Sequence, residues 1–150
     1  MHEQQLHLGA PHPSNEGYAY AKRMVEVHCR IYNEQYKTDF VCIIPTNLYG
    51  SHDTFGDRGH VVAGIIEKAN KAKKEDNPFL VLGTGTPLRQ FCLASDLCRL
   101  ILWDLFVKEH IPMIALIPEE EYSIKELADT VAEVLDCPKG YKFDPSFADG

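Results

Sequence analysis

Several signatures are missing from this 150-residue sequence, and each absence narrows the field. No Gly-x-Gly-x2-Gly or Gly-x2-Gly-x2-Gly stands between a strand pattern and a helix pattern, so no turn of the kind that cradles a phosphate at a helix start is visible. Gly83-Thr84-Gly85 comes nearest, but proline and an extended segment follow it. The five cysteines contain no Cys-x2-Cys pair and the seven histidines no His-x3-His pair, which argues against a metal site. An odd cysteine count, with three in apolar periodic stretches, suits reduced core thiols rather than a disulfide framework. No apolar run is long enough to span a bilayer, and Met1-His2-Glu3-Gln4-Gln5 lacks a basic start followed by an apolar stretch. No signal peptide and a cytoplasmic setting are therefore expected. Positive charge is also short. The net charge of -7 argues against non-specific binding to nucleic acid or a membrane surface, while leaving room for a local basic pocket. Repeats and low-complexity tracts are absent.

What is present is an ordinary globular composition, 45% hydrophobic and 25% charged, in a length that suits one domain or part of one. Residues 1–13 read as loop. Ser14 or Asn15 can cap a helix over roughly 16–36, with Ala21, Met24, Val25, Ile31 and Tyr32 as its apolar stripe and His28 on the same side. Phe40 to Ile44 is a continuous apolar run ended by Pro45, which predicts a strand buried on both faces. A loop runs from Pro45 to about Gly59. A helix follows over roughly 60–74, with Val61, Val62, Ile65, Ile66 and Ala69 inward. Phe79–Leu82 reads as a strand, Gly83–Pro87 as a turn, and Arg89–Phe91 as extended. A helix over about 96–109 would bury Leu97, Leu100, Ile101, Leu105 and Trp103. Met113–Ile117 is another strand. Ser123-Ile124-Lys125-Glu126 matches a capping box and opens a helix to about Leu135, and Tyr141–Phe143 is a last strand. Helix and strand alternate throughout, which predicts an α/β fold with parallel strands.

One local constellation carries chemistry. Tyr18 and Lys22 stand four residues apart on the first helix, so they share a face. An ammonium beside a phenol favours the phenolate, which makes Tyr18 a candidate proton donor to a carbonyl with Lys22 as its tuning charge. A solvated helix face explains the same pair equally simply. Tyr20 lies two residues from each and does not share their face.

Longer segments then become informative. Ser14-Asn15-Glu16-Gly17-Tyr18-Ala19-Tyr20-Ala21-Lys22-Arg23-Met24 resembles the active-site helix of the GDP-L-fucose synthase family, within the extended short-chain dehydrogenase/reductase superfamily. Pro45-Thr46-Asn47-Leu48-Tyr49-Gly50-Ser51-His52-Asp53-Thr54-Phe55, followed by Gly59-His60-Val61, resembles that family's central loop. Leu82 to Phe91 is similar to its substrate loop, and Phe143-Asp144 with Asp149-Gly150 to a late segment.

The resemblance implies a partial Rossmann-like NAD(P)-binding fold, about 14–60 and 92–118, with a smaller substrate-binding region, about 61–91 and 119–150. It implies conversion of GDP-4-keto-6-deoxy-D-mannose to GDP-L-fucose, by epimerisation at C3 and C5 and reduction at C4 with NADPH. Tyr18 would donate the proton. Lys22 would tune it and bond the cofactor ribose. His60 would be the epimerisation acid beside the cofactor. Pro45, Thr46, Asn47 and Leu48 would lie along the nicotinamide end. Lys68, Leu82, Arg89 and Asp149 would contact substrate, Arg89 by gripping phosphate oxygens bidentately.

Blander readings stand beside these. They are a surface or capping role for His60, a strand-end turn for Pro45–Leu48, a salt bridge for Arg89, a solvated face for Lys68 and fraying for Asp149. Asp96 in a first helical turn needs only the helix dipole, and His52-Asp53 reads as structural.

The same resemblance places Met1 near the middle of the family. The Gly-rich pyrophosphate turn, the serine that joins Tyr and Lys, and the cysteine paired with the epimerisation histidine would all belong to an absent amino-terminal half. The chain alone is therefore expected to be inactive, and full-length relatives to be homodimers. Two other functions compete. One is another nucleotide-sugar epimerase or dehydratase. The other is a non-catalytic fragment that binds nucleotide sugar or a full-length subunit.

Overall fold

A computed structural model describes residues 5–56, 59–107, 112–116 and 118–149. In chain order the elements are α1 (Glu16–Tyr36), β1 (Cys42–Pro45), β2 (Asn47–Tyr49), α2 (Val61–Lys74), β3 (Phe79–Leu82), β4 (Leu88–Arg89), β5 (Phe91–Leu93), α3 (Ala94–Phe106), β6 (Met113–Leu116), β7 (Tyr122–Ser123), α4 (Ile124–Val134) and β8 (Tyr141–Asp144). They divide into two compact units. The first comprises Met1–Thr46 and Ser95–Ile117, and the second Asn47–Ala94 and Pro118–Gly150.

In the first unit, a single 3-10 turn at Pro13–Asn15 leads into α1. Asn15 takes the N-cap position but makes no side-chain cap bond; the imidazole of His12 accepts from the Ser14 N–H instead. Lys37, in the left-handed conformation at φ 55°, stops α1. The Asn33 amide then turns the chain towards β1. Its Nδ2 donates to the Phe40 carbonyl at 2.8 Å, and its Oδ1 accepts the Phe40 N–H at 2.8 Å and the Thr38 hydroxyl at 2.9 Å. β1 pairs in parallel with β6, from Cys42 opposite Met113 to Pro45 opposite Leu116.

Three expectations are corrected here. Phe40 lies outside the strand and is exposed, and only Cys42 of β1 is buried. No residue of α1 is buried: Ala21 and His28 are exposed, and Met24, Val25 and Tyr32 are about half exposed. In α3, Leu97 and Leu100 are half-buried, while Ile101, Trp103 and Leu105 face solvent and the buried residue is Asp104. The physical reason is common to all three. Periodicity marks which face of an element is apolar, but burial needs a surface to pack on, and a two-stranded sheet of four rungs offers little. The expected ends of α3 at 108–109 and of β6 at Ile117 lie outside the described residues.

The second unit carries the packed core. Ile65, Ala69 and Ala72 of α2, Phe79 and Val81 of β3, and Ala128 and Val131 of α4 form one buried cluster. Ala69 and Ala128 are fully buried, and their small side chains let α2 and α4 approach. β3 alternates, with Phe79 and Val81 inward and Leu80 and Leu82 outward. Burying a side chain the size of Phe79 is worth roughly 2–3 kcal/mol. β3 pairs in parallel with β8, and the Phe79 and Tyr141 rings lie 5.4 Å apart. The capping box forms as expected: Ser123 Oγ accepts the Glu126 N–H at 3.1 Å, and the Glu126 carboxylate accepts the Ser123 N–H at 2.7 Å. Three of the four ladders among the described residues are parallel. The fourth, β4 with β7, is antiparallel.

The expected loop after Pro45 also contains β2, which pairs in parallel with β5. No disulfide forms among the described residues. Cys42 and Cys92 are buried, whereas Cys98 is exposed, which departs from an all-core set of thiols. Burial, then the neighbouring Cys29 and Glu26, push the Cys42 thiol up. No described helix is long and apolar enough to cross a membrane.

Candidate active site

Tyr18 and Lys22 occupy the first turns of α1, where the helical repeat sets one above the other. The Lys22 ammonium lies 5.4 Å from the centre of the Tyr18 ring, within cation–π range. Tyr18 is 64% exposed, so its hydroxyl can meet a ligand. Tyr20 points elsewhere, towards the Arg23 guanidinium at 5.9 Å.

Pro45 closes β1, and Thr46 follows as the last residue of the same unit. The Thr46 hydroxyl is buried and makes no hydrogen bond to any described residue. Such an oxygen costs about 1–3 kcal/mol when left unpaired. It therefore suits a site where a polar group of a bound molecule completes the bond.

Asn47 and Leu48 belong to the second unit as the first residues of β2. Asn47 does structural work. Its backbone N–H and its Nδ2 both donate to the Gln90 carbonyl, at 3.3 and 2.9 Å. Gln90, almost fully buried, sends its own amide on to the Pro118 carbonyl at 2.9 Å. Leu48 stands opposite Cys92 in the β2–β5 ladder.

His60 sits at the N-cap of α2. Its carbonyl accepts the Gly64 N–H at 2.8 Å, and its ring is exposed and makes no cap bond. The loop before it is tied to the same helix, because the Glu67 carboxylate accepts the Gly56 N–H at 2.5 Å. Asp53 helps to shape that loop. Its Oδ1 accepts the Thr54 N–H at 2.8 Å, while Oδ2 is buried without a hydrogen bond to any described residue. Lys68 is exposed on α2.

A second cluster surrounds the Gly83–Gly85 turn. Leu82 is 44% exposed at the end of β3. Arg89, half-buried in β4, donates Nη1 to the Leu88 carbonyl at 2.8 Å. Asp149 is tied down: Oδ1 accepts the Thr84 N–H at 2.8 Å and Oδ2 the Thr84 hydroxyl at 2.7 Å. Those two bonds, with the desolvation they entail working against them and the Arg89 charge adding to them, hold the Asp149 carboxyl below the usual carboxylate range. The structure thus gathers Leu82, Arg89 and Asp149 within one unit around one turn, and gathers Tyr18 and Lys22 on one helix of the other.

The family model for the NAD dependent epimerase/dehydratase family matches residues 2–111. The chain belongs to that family. Among the family's curated members it is 45% identical over 151 residues to a GDP-L-fucose synthase from Dictyostelium discoideum, covering 99% of this chain and 47% of that protein. It is 33% identical over 161 residues to the GDP-L-fucose synthase of Escherichia coli (strain K12), covering 100% of this chain and 50% of that one. The solved structure of a GDP-L-fucose synthetase from Naegleria fowleri bound to NADP superposes with a TM-score of 0.91 at 40% identity, covering 100% of this chain and 49% of that one. The helices and parallel strands described above are thus those of a Rossmann-like epimerase/reductase fold. The chain spans about half the length of the curated relatives it matches.

Gln90, Glu67 and Thr84 were not singled out by sequence reasoning. Their partners are main-chain groups or a carboxylate far along the chain, and such partners leave no local pattern.

Proposed function

We propose that this chain is the active-site and substrate-binding half of a GDP-L-fucose synthase, acting on GDP-4-keto-6-deoxy-D-mannose in the cytoplasm. What supports the reading most is that the 45% identity extends over 99% of the chain, and so spans the Tyr18–Lys22 helix, the Pro45–Phe55 loop, His60 and the Arg89 turn alike. Bound NADPH would supply hydride to the C4 ketone. Tyr18 gives a proton to the C4 oxygen, and Lys22 holds positive charge beside that phenol. His60 protonates carbon in the epimerisation, a step that needs an acid on a defined face of the sugar. Pro45, Thr46, Asn47 and Leu48 pass along the nicotinamide end, where the Thr46 hydroxyl, unpaired among the described residues, offers a hydrogen bond. Lys68, Leu82, Arg89 and Asp149 hold the nucleotide sugar. In this reading the first unit is the Rossmann part, the second is mainly the substrate part, and the complete enzyme is a homodimer.

The test is NADPH oxidation with GDP-4-keto-6-deoxy-D-mannose. The purified chain should be silent, and a hybrid joining it to the upstream half of the Dictyostelium enzyme should turn over. Tyr18→Phe in that hybrid should lower the reduction rate by about 10²–10⁴ while cofactor affinity holds. A folded, NADPH-binding hybrid that ignores the GDP-sugar but reduces UDP- or dTDP-linked sugars would refute the assignment.

A further inference from the structure

The main chain on both sides of His60 is closed by a circuit of hydrogen bonds. The Gly59 N–H donates to the Gly56 carbonyl at 2.9 Å, and the His60 carbonyl accepts the Gly64 N–H at 2.8 Å. The Glu67 carboxylate completes the circuit by accepting the Gly56 N–H at 2.5 Å. Helical side chains lean towards the N-terminus, so a glutamate at the seventh residue of α2 can reach back to the chain that enters the helix. That chain has no slack at Gly59: a Cβ there would stand 2.5 Å from the Thr54 carbonyl oxygen and 3.1 Å from that of Gly56. Gly56 takes φ +92°, a conformation glycine adopts without steric cost, and its N–H meets the carboxylate. The His60 imidazole is exposed and makes no hydrogen bond to any described residue. Its direction is therefore set by the main chain that carries it.

We propose that Glu67 is a positioning residue for His60: by holding the Gly56 N–H it fixes the main chain that presents the imidazole to the sugar. This rests on the function proposed above, in which His60 is the epimerisation acid, and adds to it a residue outside the motifs that suggested that function. Proton delivery to one face of a carbon tolerates little displacement, and about 1 Å of misplacement can cost about a hundredfold in rate. Hydride transfer, by contrast, draws on Tyr18 and Lys22, which belong to the other unit, and does not depend on this circuit. What Glu67 supplies is an acceptor oxygen at the right reach. The amide oxygen of glutamine supplies one too, whereas aspartate is one methylene too short and alanine has none.

The experiment has two arms, each with wild type, Glu67→Ala, Glu67→Asp and Glu67→Gln. In the 150-residue chain, NMR follows the Gly56 amide and the His60 Cε1–H. Both resonances should move in Glu67→Ala and Glu67→Asp, and the His60 resonance should return to its wild-type position in Glu67→Gln. In the hybrid with the upstream Dictyostelium half, the assay uses NADPH and GDP-4-keto-6-deoxy-D-mannose and separates GDP-L-fucose from reduced, unepimerised sugar. Glu67→Ala should slow epimerisation roughly ten- to hundredfold while NADPH oxidation and the KM for the sugar hold, and Glu67→Gln should restore the fucose product. Adding Glu67→Ala to His60→Ala should cost no further epimerisation, because one device is already lost. A His60 resonance unmoved in Glu67→Ala overturns the proposal. So does a Glu67→Gln as poor as Glu67→Ala, which would make the charge the working property, or a Glu67→Ala that slows epimerisation and reduction in equal measure. A folded hybrid that ignores the GDP-sugar counts against the proposed function instead, and the His60 resonance then decides the positioning alone.

Discussion

Replacing Gly85 by alanine puts a methyl group where the Phe143 ring already stands. Gly85 has φ +78°, and a Cβ built there lies 2.3 Å from the nearest ring atom, against ordinary contact at 3.4–4 Å. Two costs follow. Holding an L-residue in the left-handed region costs about 1–2 kcal/mol. Moving a half-buried ring by more than an ångström, when it sits edge-on to Tyr141 at 5.3 Å and against the core, is overpacking and costs about 1–3 kcal/mol. The sum is about 2–5 kcal/mol, a large part of the stability of a domain this size. Gly64 provides the control. It is helical, nothing lies within 4 Å of its Cβ position, and Gly64→Ala should stabilise by about 0.5–1 kcal/mol. Urea unfolding of the two variants and wild type, with m-values compared, reads both effects. Adding Phe143→Ala to Gly85→Ala should remove the overlap and leave only the backbone cost beyond that of Phe143→Ala alone. A Gly85→Ala loss below 1 kcal/mol, or two variants that add as independent changes, would refute the reasoning.

Phe79→Ala, which empties the largest fully buried side-chain position among the described residues, should cost about 3–5 kcal/mol in the same assay. Ser123→Ala removes the α4 cap and should cost about 1 kcal/mol. Bonds from the Ser123 N–H and hydroxyl hold the Glu126 carboxyl below its usual range. Because the folded pKa is depressed, the stability it confers is complete above the unfolded value near 4.3 and is lost as pH falls through the folded value. Wild type should therefore lose stability more steeply than Ser123→Ala below about pH 4.3, as urea midpoints against pH would show. In the hybrid enzyme His60→Ala should impair epimerisation more than hydride transfer, giving a reduced but unepimerised sugar by product analysis.

Legibility from sequence followed the range of the interactions. The Ser123–Glu126 box and the α4 stripe are local, and they formed as read. The α2 stripe formed except at its first residue: Val61, expected inward, is exposed, because the first turn of the helix lies beyond the core cluster that covers Ile65 and Ala69. β2 was hidden, because Asn47–Tyr49 becomes a strand only by pairing with Phe91–Leu93. The α1 and α3 stripes had the right period, yet period alone does not supply a partner surface. At the site, the Tyr18–Lys22 pair was readable from spacing. Asp149 was readable only through family resemblance, and its bond to Thr84 crosses 65 residues of chain.

The second unit is discontinuous: its two stretches, Asn47–Ala94 and Pro118–Gly150, are separated by Ser95–Ile117 of the first. Its core is nevertheless built from both stretches, with α2 and β3 from one and α4 and β8 from the other. Neither stretch can bury its apolar side chains without the other. Covalent continuity between them is then less important than mutual recognition. A chain severed among the exposed glutamates at 119–121 retains in two peptides every contact of that core, and the shorter peptide, carrying Ala128, Val131 and the β8 ladder, is the natural complement that the longer one would recapture.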